Sequence, residues 1–125
     1  MTIKGAPITD PKTREEAVAL MRRSSHWSSG LISANTGRWT QKPTAFRAAD
    51  HAALVAMIER RGWVRQPDNE FGENWRHPGE HASWSFLRAC QITLHALAGR
   101  TVWCGRFLAP LKIPALPSAA EQVSP

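Results

Sequence analysis

The stretch FRAADHAALVAMIERRGWVRQPDNEFGENWR, residues 46–76, decides the fold class. Its first half, residues 46–61, is rich in alanine and carries apolar residues at helical spacing, as at Leu54 and Ile58. Gly62 comes next, and glycine suits the left-handed backbone position that ends many helices. Residues 46–61 are therefore predicted to form a helix.

The second half of this stretch predicts a β-hairpin. Residues 62–66 contain aromatic and β-branched residues and are predicted to form a strand. Residues 67–70 have the composition of a turn, and residues 71–76 are predicted to return as a second strand that ends at Pro78. A helix followed by a hairpin is therefore expected in the middle of the chain.

Two further helices are expected on either side of this unit. Residues 11–23 form the first, because Asp10 can cap free backbone N–H groups and proline suits the first helical position. Residues 84–98 form the third, with Ser83 as its cap and Gly99 at its end. Both segments have an apolar side that can be buried against a core.

The remaining segments set the expected domain boundaries. Residues 24–44 are mostly loop, with Leu31-Ile32 as a short candidate strand, and residues 101–104 favour a strand. Several prolines then exclude regular structure near the C-terminus. We expect one globular domain over residues 1–108 and an extended or disordered proline-rich tail over residues 109–125.

The order of these elements predicts an α+β fold. Three helices are expected to pack on a small, mostly antiparallel sheet, with an extended proline-rich C-terminal tail. A chain of 125 residues with 42% hydrophobic residues is enough for one core. All-helical packing is the alternative.

The charge of the chain points to an anionic partner. The formal net charge is +6 and the pI is near 10.4, with the excess of lysine and arginine in residues 1–50 and 81–125. Because phosphates attract such a surface without sequence-specific contact, nucleic acid or an acidic protein or nucleoprotein surface is the expected partner. No membrane partner is expected, since no apolar run approaches the ~20 residues that a bilayer requires. The two cysteines form no disulfide framework, so a cytoplasmic setting is expected, and the oligomeric state is left open.

Tryptophan is the unusual feature of the composition, with six tryptophans and no tyrosine. Trp39 and Trp75 stand beside arginines, so an indole ring can stack on a base while a guanidinium reaches a phosphate. The alternative is that tryptophans fill the core, which is favoured for Trp63, Trp84 and Trp103 by their apolar neighbours. The predicted partner-binding residues, all cationic or indole side chains, are Arg38, Trp39, Lys42, Arg47, Arg60, Arg61 and Arg65. Arg60 and Arg61 are also explained by the favourable place of cations at a helix C-terminus.

No recognised catalytic motif is present, since GxSxG, a P-loop, GxGxxG and HExxH are all absent. His77 and His81 are four residues apart, which would place both imidazoles on one face of a helix. Pro78-Gly79 argues against a helix there, so the spacing does not predict a metal site. No catalytic residue, metal or cofactor is therefore predicted.

These observations lead to one expected function and two alternatives. The expected function is that of a small basic, non-enzymatic binding protein that engages nucleic acid or a protein or nucleoprotein partner, of the size of phage and plasmid accessory or inhibitor proteins. One alternative is a small nuclease-like enzyme that uses His77 or His81 with a nearby arginine. The other is a structural subunit that docks on a neighbour through its C-terminal tail.

Overall fold

The structure, a computed structural model, describes residues 5–27, 44–69, 72–78, 83–100 and 112–122. These residues form three α-helices and a three-stranded antiparallel sheet, followed by a short 3-10 helix at Ala119–Gln122. The elements in chain order are α1 (Arg14–Ser24), α2 (Ala48–Arg60), β1 (Val64–Asn69), β2 (Gly72–Arg76), β3 (Trp84–Ser85) and α3 (Phe86–Leu97). The protein is α+β, as the sequence predicts.

The sheet has the order β1-β2-β3, and each pair of neighbours is antiparallel. Trp75 lies in the central strand, opposite Arg65 on one side and Trp84 on the other. The third strand, β3, consists of residues that are predicted to begin the third helix. The third helix therefore starts later than predicted. The predicted strand at residues 101–104 and the candidate strand at Leu31-Ile32 lie outside the described residues.

The hairpin turn also lies further along the chain than predicted. β1 continues through Pro67 to Asn69, which pairs with Gly72, so the prediction of a turn over residues 67–70 is wrong. Pro67 is tolerated because β1 is an edge strand, where one side needs no N–H donor. Gly72 has φ +99°, a left-handed conformation that glycine adopts without the strain of a side chain.

One side chain of β1 is hydrogen-bonded to the backbone of its own strand. The side-chain amide of Gln66 donates to the carbonyl oxygens of Val64 and Arg65, at 3.3 and 3.4 Å. Pro67 contributes no N–H donor to either side of the strand. Val64 is 54% exposed.

The first helix begins with a capping box at Thr13. The Thr13 hydroxyl accepts from the backbone N–H of Glu16, and the Glu16 carboxylate accepts from the backbone N–H of Thr13. The prediction that Asp10 caps this helix is wrong, because its carboxylate instead binds Arg60 and Arg61 at the end of α2. The helix therefore starts at Arg14 rather than at residue 11.

The third helix is capped by Ser85, not by Ser83. The Ser85 hydroxyl accepts from the backbone N–H of Arg88 at 3.2 Å. Trp84 and Ser85 pair with β2, which keeps their backbone extended and delays the start of the helix to Phe86. Pairing across the sheet thus overrides the local preference for a helix.

The core is built around α3, in which nine of the 12 residues are buried. The indole N–H of Trp63 donates to the hydroxyl of Thr93 at 2.8 Å, and that hydroxyl donates to the carbonyl of Ala89 at 2.8 Å. Cys90 is a free, fully buried cysteine, and burial raises the pKa of its thiol. The prediction that Trp63 is a core residue is confirmed.

The helix α1 runs antiparallel along α3. Near the end of α1, the side-chain amide of Gln91 donates to the carbonyl of Ser24 at 3.2 Å. At the start of α1, Arg14 lies against Gly99, which follows α3 and has φ +85°. The N-terminal end of one helix is therefore beside the C-terminal end of the other.

Residues 112–122 pack on this same end of the helix pair. The backbone N–H of Leu116 donates to the carbonyl of Leu97, and the backbone N–H of Arg14 donates to the carbonyl of Pro117. The side chain of Arg14 also donates to the carbonyl of Leu116 at 3.2 Å, and Ile113 is 7% exposed. The segment thus lies in contact with the body of the protein through main-chain hydrogen bonds and an apolar anchor.

Among the described residues, none of the helices has the length and apolar character needed to span a bilayer.

Candidate cationic surface

Three of the predicted binding residues, Arg38, Trp39 and Lys42, lie outside the described residues. Their place on the predicted surface stays a prediction. The other four, Arg47, Arg60, Arg61 and Arg65, are described, and all four form ion pairs with carboxylates.

Arg60 and Arg61 lie together at the end of α2, where both bind Asp10. Arg60 Nη1 is 2.8 Å from one oxygen of the Asp10 carboxylate, and Arg61 Nη1 is 2.8 Å from the other. Arg61 is 13% exposed and also donates to the carbonyl of Met57, whereas Arg60 is 65% exposed. The shared carboxylate offsets part of their positive charge and ties the N-terminal segment to α2.

Arg47 serves the N-terminal segment in a similar way. Its Nε is 2.7 Å from the carboxylate of Asp50, which is 1% exposed. Its Nη2 donates to the carbonyl of Gly5 at 3.1 Å. Arg47 therefore neutralises a buried carboxylate and fixes the chain that crosses over it.

Arg65 belongs to a polar cluster on the hairpin. Its guanidinium lies 2.6 Å from Asp68 and 3.2 Å from Glu73, with Cζ 5.7 Å from the centroid of the Trp75 ring. The Glu73 carboxylate also accepts from the indole N–H of Trp75 at 3.1 Å and pairs with His51 Nε2 at 2.5 Å. The carboxylates of Asp68 and Glu73 therefore offset the positive charge of Arg65.

The described arginines of the predicted patch therefore form three separate ion-paired groups. Trp75, which the sequence placed beside Arg76 as a stacking platform, is 1% exposed. Because its ring is buried under α3 and its N–H is bonded to Glu73, the prediction that a base stacks on it is wrong. Elsewhere in the described parts of the chain, one group of positive charges has no carboxylate partner.

This group of positive charges lies on the outer face of α3 and just beyond its C-terminal end. Arg88 is exposed and His95 is half-buried, and they are seven residues apart, which places them on the same helix face about two turns apart. Arg100 is exposed just beyond the end of the helix. Neither Arg88 nor Arg100 pairs with a carboxylate within the described ranges. We call Arg88, His95 and Arg100 the α3 cationic face.

The electrostatics of His95 show that these side chains act on one another. Burial, and then the charges of Arg100 and Arg88, lower the pKa of His95 below its ordinary value of 6.5. Two guanidinium groups therefore raise the potential at one imidazole, as expected where like charges are held near each other without a counter-ion.

The chain matches no known family model, and comparisons with curated proteins and with solved structures found no match.

The histidines considered for catalysis have different surroundings. His77 is 8% exposed, its Nε2 donates to the carbonyl of Arg61 at 2.9 Å, and its ring packs edge-on against Trp63. It also lies against Gly62, where a Cβ would come within 3.1 Å of Nε2. His81 lies outside the described residues. His77 therefore ties the end of α2 to the hairpin.

His51 is more exposed, but its Nε2 is engaged by Glu73 and its ring lies 4.8 Å from the ring of Phe86. Over the ranges that the structure describes, His, Cys, Asp and Glu form no group of three that could hold a metal ion. The arrangement is that of a carboxylate with three donors, which links α2 to the sheet.

The α3 cationic face was missed by the sequence analysis, although the sequence contains its signal. Residues 81–120 include Arg88 and Arg100 but no aspartate or glutamate. A cation in a long segment without carboxylates has no local partner, whereas Arg60, Arg61 and Arg65 come close to Glu59, Asp68 and Glu73 in sequence. Counting nearby acids would have favoured the C-terminal cations over those of residues 47–65.

Proposed function

We propose that the protein is a non-enzymatic binding protein whose partner is a nucleic acid, held through its phosphates by the α3 cationic face. The observation that supports this proposal is the pair of exposed arginines, Arg88 and Arg100, which have no carboxylate partner among the described residues. An unpaired guanidinium is free to bind a phosphate with two hydrogen bonds, and binding it breaks no existing ion pair.

The contrast with the other arginines argues for this face. To bind a phosphate, Arg47 would give up the carboxylate of Asp50, and Arg61 would give up that of Asp10. Removing Arg47 from the buried carboxylate of Asp50 costs several kcal/mol, on the order of 3 to 5. Asp10 would keep Arg60, but it would lose the less exposed of its two arginine partners. Arg88 and Arg100 carry no such cost, so the same Coulomb attraction yields a larger net gain at the α3 cationic face.

The proposal predicts how steeply the binding affinity falls with salt concentration. Each phosphate that is neutralised contributes about −0.9 to the log–log slope of affinity against salt concentration. Two arginines at the α3 cationic face therefore predict a slope near −1.8 from this face alone. Affinity in the micromolar range or weaker, with little dependence on sequence, is expected of such a contact.

Fluorescence anisotropy with labelled single-stranded and double-stranded DNA and RNA, at a series of salt concentrations, tests the proposal. The double variant Arg88→Ala/Arg100→Ala is expected to weaken binding and to make the salt slope less steep by about 1 for each arginine. The matched control is Arg60→Ala/Arg65→Ala, which removes the same formal charge from side chains that are already ion-paired. This control is expected to keep most of the wild-type slope.

Two results would count against the proposal. Undetectable binding at low salt with every nucleic acid would remove nucleic acid as the partner. Equal losses in the two double variants would show that net charge, and not the α3 cationic face, determines binding. An acidic protein partner would then be sought by affinity purification with nuclease treatment.

The two other functions expected from the sequence gain no specific observation from the described residues. A nuclease using His77 is not favoured, because its Nε2 is bonded to the carbonyl of Arg61 and its ring is buried. Docking of the tail on a neighbouring subunit is not favoured either, because Leu116 and Pro117 are hydrogen-bonded to Leu97 and Arg14 of the same chain.

A further inference from the structure

His95 occupies the middle of the α3 cationic face. Arg88 precedes it by seven residues on the same side of the helix, and Arg100 follows it by five residues. Its side chain is half-buried, so the imidazole borders the solvent where a bound phosphate chain would run. The imidazole therefore lies between the two arginines along the chain, and the backbone N–H of Arg100 donates to the carbonyl of His95.

The charges that lower the pKa of His95 are positive, although the first turn of α1 at this end also carries the exposed carboxylates of Glu15 and Glu16, which accept from the backbone N–H groups of Ala119 and Thr13. Arg100 and Arg88 are the charges that act on its imidazole. From α1, which packs along α3, Arg14 reaches the same end, and its Nε is bonded to the carbonyl of Leu116.

The other elements packed against α3 direct their charges elsewhere. His51 of α2 and Glu73 of β2 bind each other, and the charge of Glu73 acts on Cys90, which is on a different side of the helix. The short strand β3 carries no charged residue.

In the free protein, the surroundings of His95 disfavour its protonated form. Burial and the two arginines lower the pKa of His95 below 6.5, so an imidazolium at this position is unfavourable. Phosphates bound between Arg88 and Arg100 would reverse this effect, because negative charge close to an imidazole favours the protonated form.

We propose that the α3 cationic face takes up a proton when it binds a nucleic acid, so that His95 becomes an imidazolium and supplies a third positive charge to the phosphates. This inference rests on the proposed function and specifies how that binding is regulated. The proton comes from the solvent and is retained only while the phosphates remain bound.

The direction of the pH dependence follows from linkage. A ligand that raises the pKa of a group binds more tightly as the pH falls through the range between the two values. If binding raises the pKa of His95 by about one unit, affinity increases up to about tenfold between mildly alkaline and mildly acidic solution. Phosphodiester groups do not titrate there, so the nucleic acid itself contributes no such change.

The test measures the dissociation constant of one labelled oligonucleotide from about pH 8 to about pH 6 at fixed ionic strength. Wild type is expected to bind several-fold more tightly at the lower pH. His95→Gln and His95→Lys should both lose most of this dependence, the first binding weakly and the second tightly across the whole range. His26→Gln is the matched control, because His26 is exposed but lies at the end of α1.

A second measurement follows the proton directly. Nuclear magnetic resonance titration of the histidine Cε1–H signals of wild type, with and without oligonucleotide, should show the pKa of His95 rising on binding. This measurement does not depend on a variant, so it also decides the matter if a substitution at residue 95 disturbs folding.

The outcomes separate this inference from the proposed function. Binding that is salt-sensitive and lost in Arg88→Ala/Arg100→Ala, but equal at both ends of the pH range, would overturn the proton uptake and leave the proposed function standing. A His95→Gln variant with the full wild-type pH dependence would have the same meaning. Absence of nucleic-acid binding at every pH would overturn both.

Discussion

The carboxylate of Asp50 accepts a hydrogen bond from the backbone N–H of Ile8 at 2.8 Å, across 42 residues of chain. Asp50 is 1% exposed and lies in the first turn of α2, where a negative charge is favoured by the helix dipole. Arg47 closes the arrangement with a 2.7 Å contact to the same carboxylate. One buried acid therefore joins the N-terminal segment to the second helix.

Replacement of Asp50 should destabilise the protein. Asp50→Ala leaves the Ile8 N–H without its acceptor and frees Arg47, which is 43% exposed and can be hydrated, so a cost of about 1 to 3 kcal/mol is expected. Asp50→Asn keeps an acceptor for Ile8 and should cost less. Urea unfolding measured by circular dichroism gives both values. Asp68→Ala, which removes a 58% exposed carboxylate, is the control and should cost less than about 1 kcal/mol.

The same carboxylate predicts a loss of stability in acid. Burial alone would raise the pKa of Asp50, but the hydrogen bonds from Ile8 and Arg47 and the charges of Arg47 and Arg23 lower it below 3.8. A carboxyl whose pKa is lower in the folded state stabilises the protein above 3.8, and this contribution is lost as the pH falls through the folded value. The difference in unfolding free energy between wild type and Asp50→Asn should therefore shrink in that acidic range. A difference that stays constant there would contradict this assignment.

The buried pair Trp63 and Thr93 gives a third prediction. Thr93→Val keeps the shape of the side chain but leaves the indole N–H of Trp63 without an acceptor, which should cost about 1 to 3 kcal/mol. Thr93→Ser keeps the hydroxyl and removes one methyl group, so its cost isolates the packing contribution. Thermal and urea unfolding of both variants provide the comparison. If the serine variant is the less stable of the two, packing outweighs the hydrogen bond.

The contact of residues 112–122 with the body gives a fourth prediction. Ile113 is 7% exposed, so Ile113→Ala should destabilise the protein by about 2 to 4 kcal/mol through the lost burial and the cavity left behind. Lys112→Ala is the matched control, because Lys112 precedes Ile113 in the chain and its side chain is exposed. Unfolding by urea measures both. An Ile113→Ala variant as stable as Lys112→Ala would show that this segment adds nothing to the folded state in solution.

Local sequence patterns were sufficient to predict the interiors of the helices and the class of the fold. The alanine-rich residues 46–61 contain α2, and the hairpin follows Gly62 as predicted. The signature Thr13-Arg-Glu-Glu16 marks a helix start that the sequence analysis overlooked in favour of Asp10. The sequence therefore contains two competing signals for the start of α1, Asp10 and the capping box at Thr13, and the capping box is the one that the helix uses.

Other features depend on contacts that a local pattern does not contain. The two-residue strand Trp84–Ser85 exists because β2 offers it a partner, and such a short strand has no periodicity to detect. In the same way, Arg61 meets Asp10 across 51 residues of chain, so its ion pair could not be inferred from its neighbours. The candidate site was predicted less well than the fold for this reason, because charge neutralisation is decided by tertiary contacts.

The open edge of β1 affects how readily two copies of the protein can join their sheets. A neighbouring strand that approached the open side of β1 would find no N–H donor at Pro67 and one carbonyl oxygen, of Val64 or of Arg65, that already accepts from the amide of Gln66. Two copies therefore gain little from joining their sheets along β1. This edge of the sheet is therefore a poor template for pairing with a further strand.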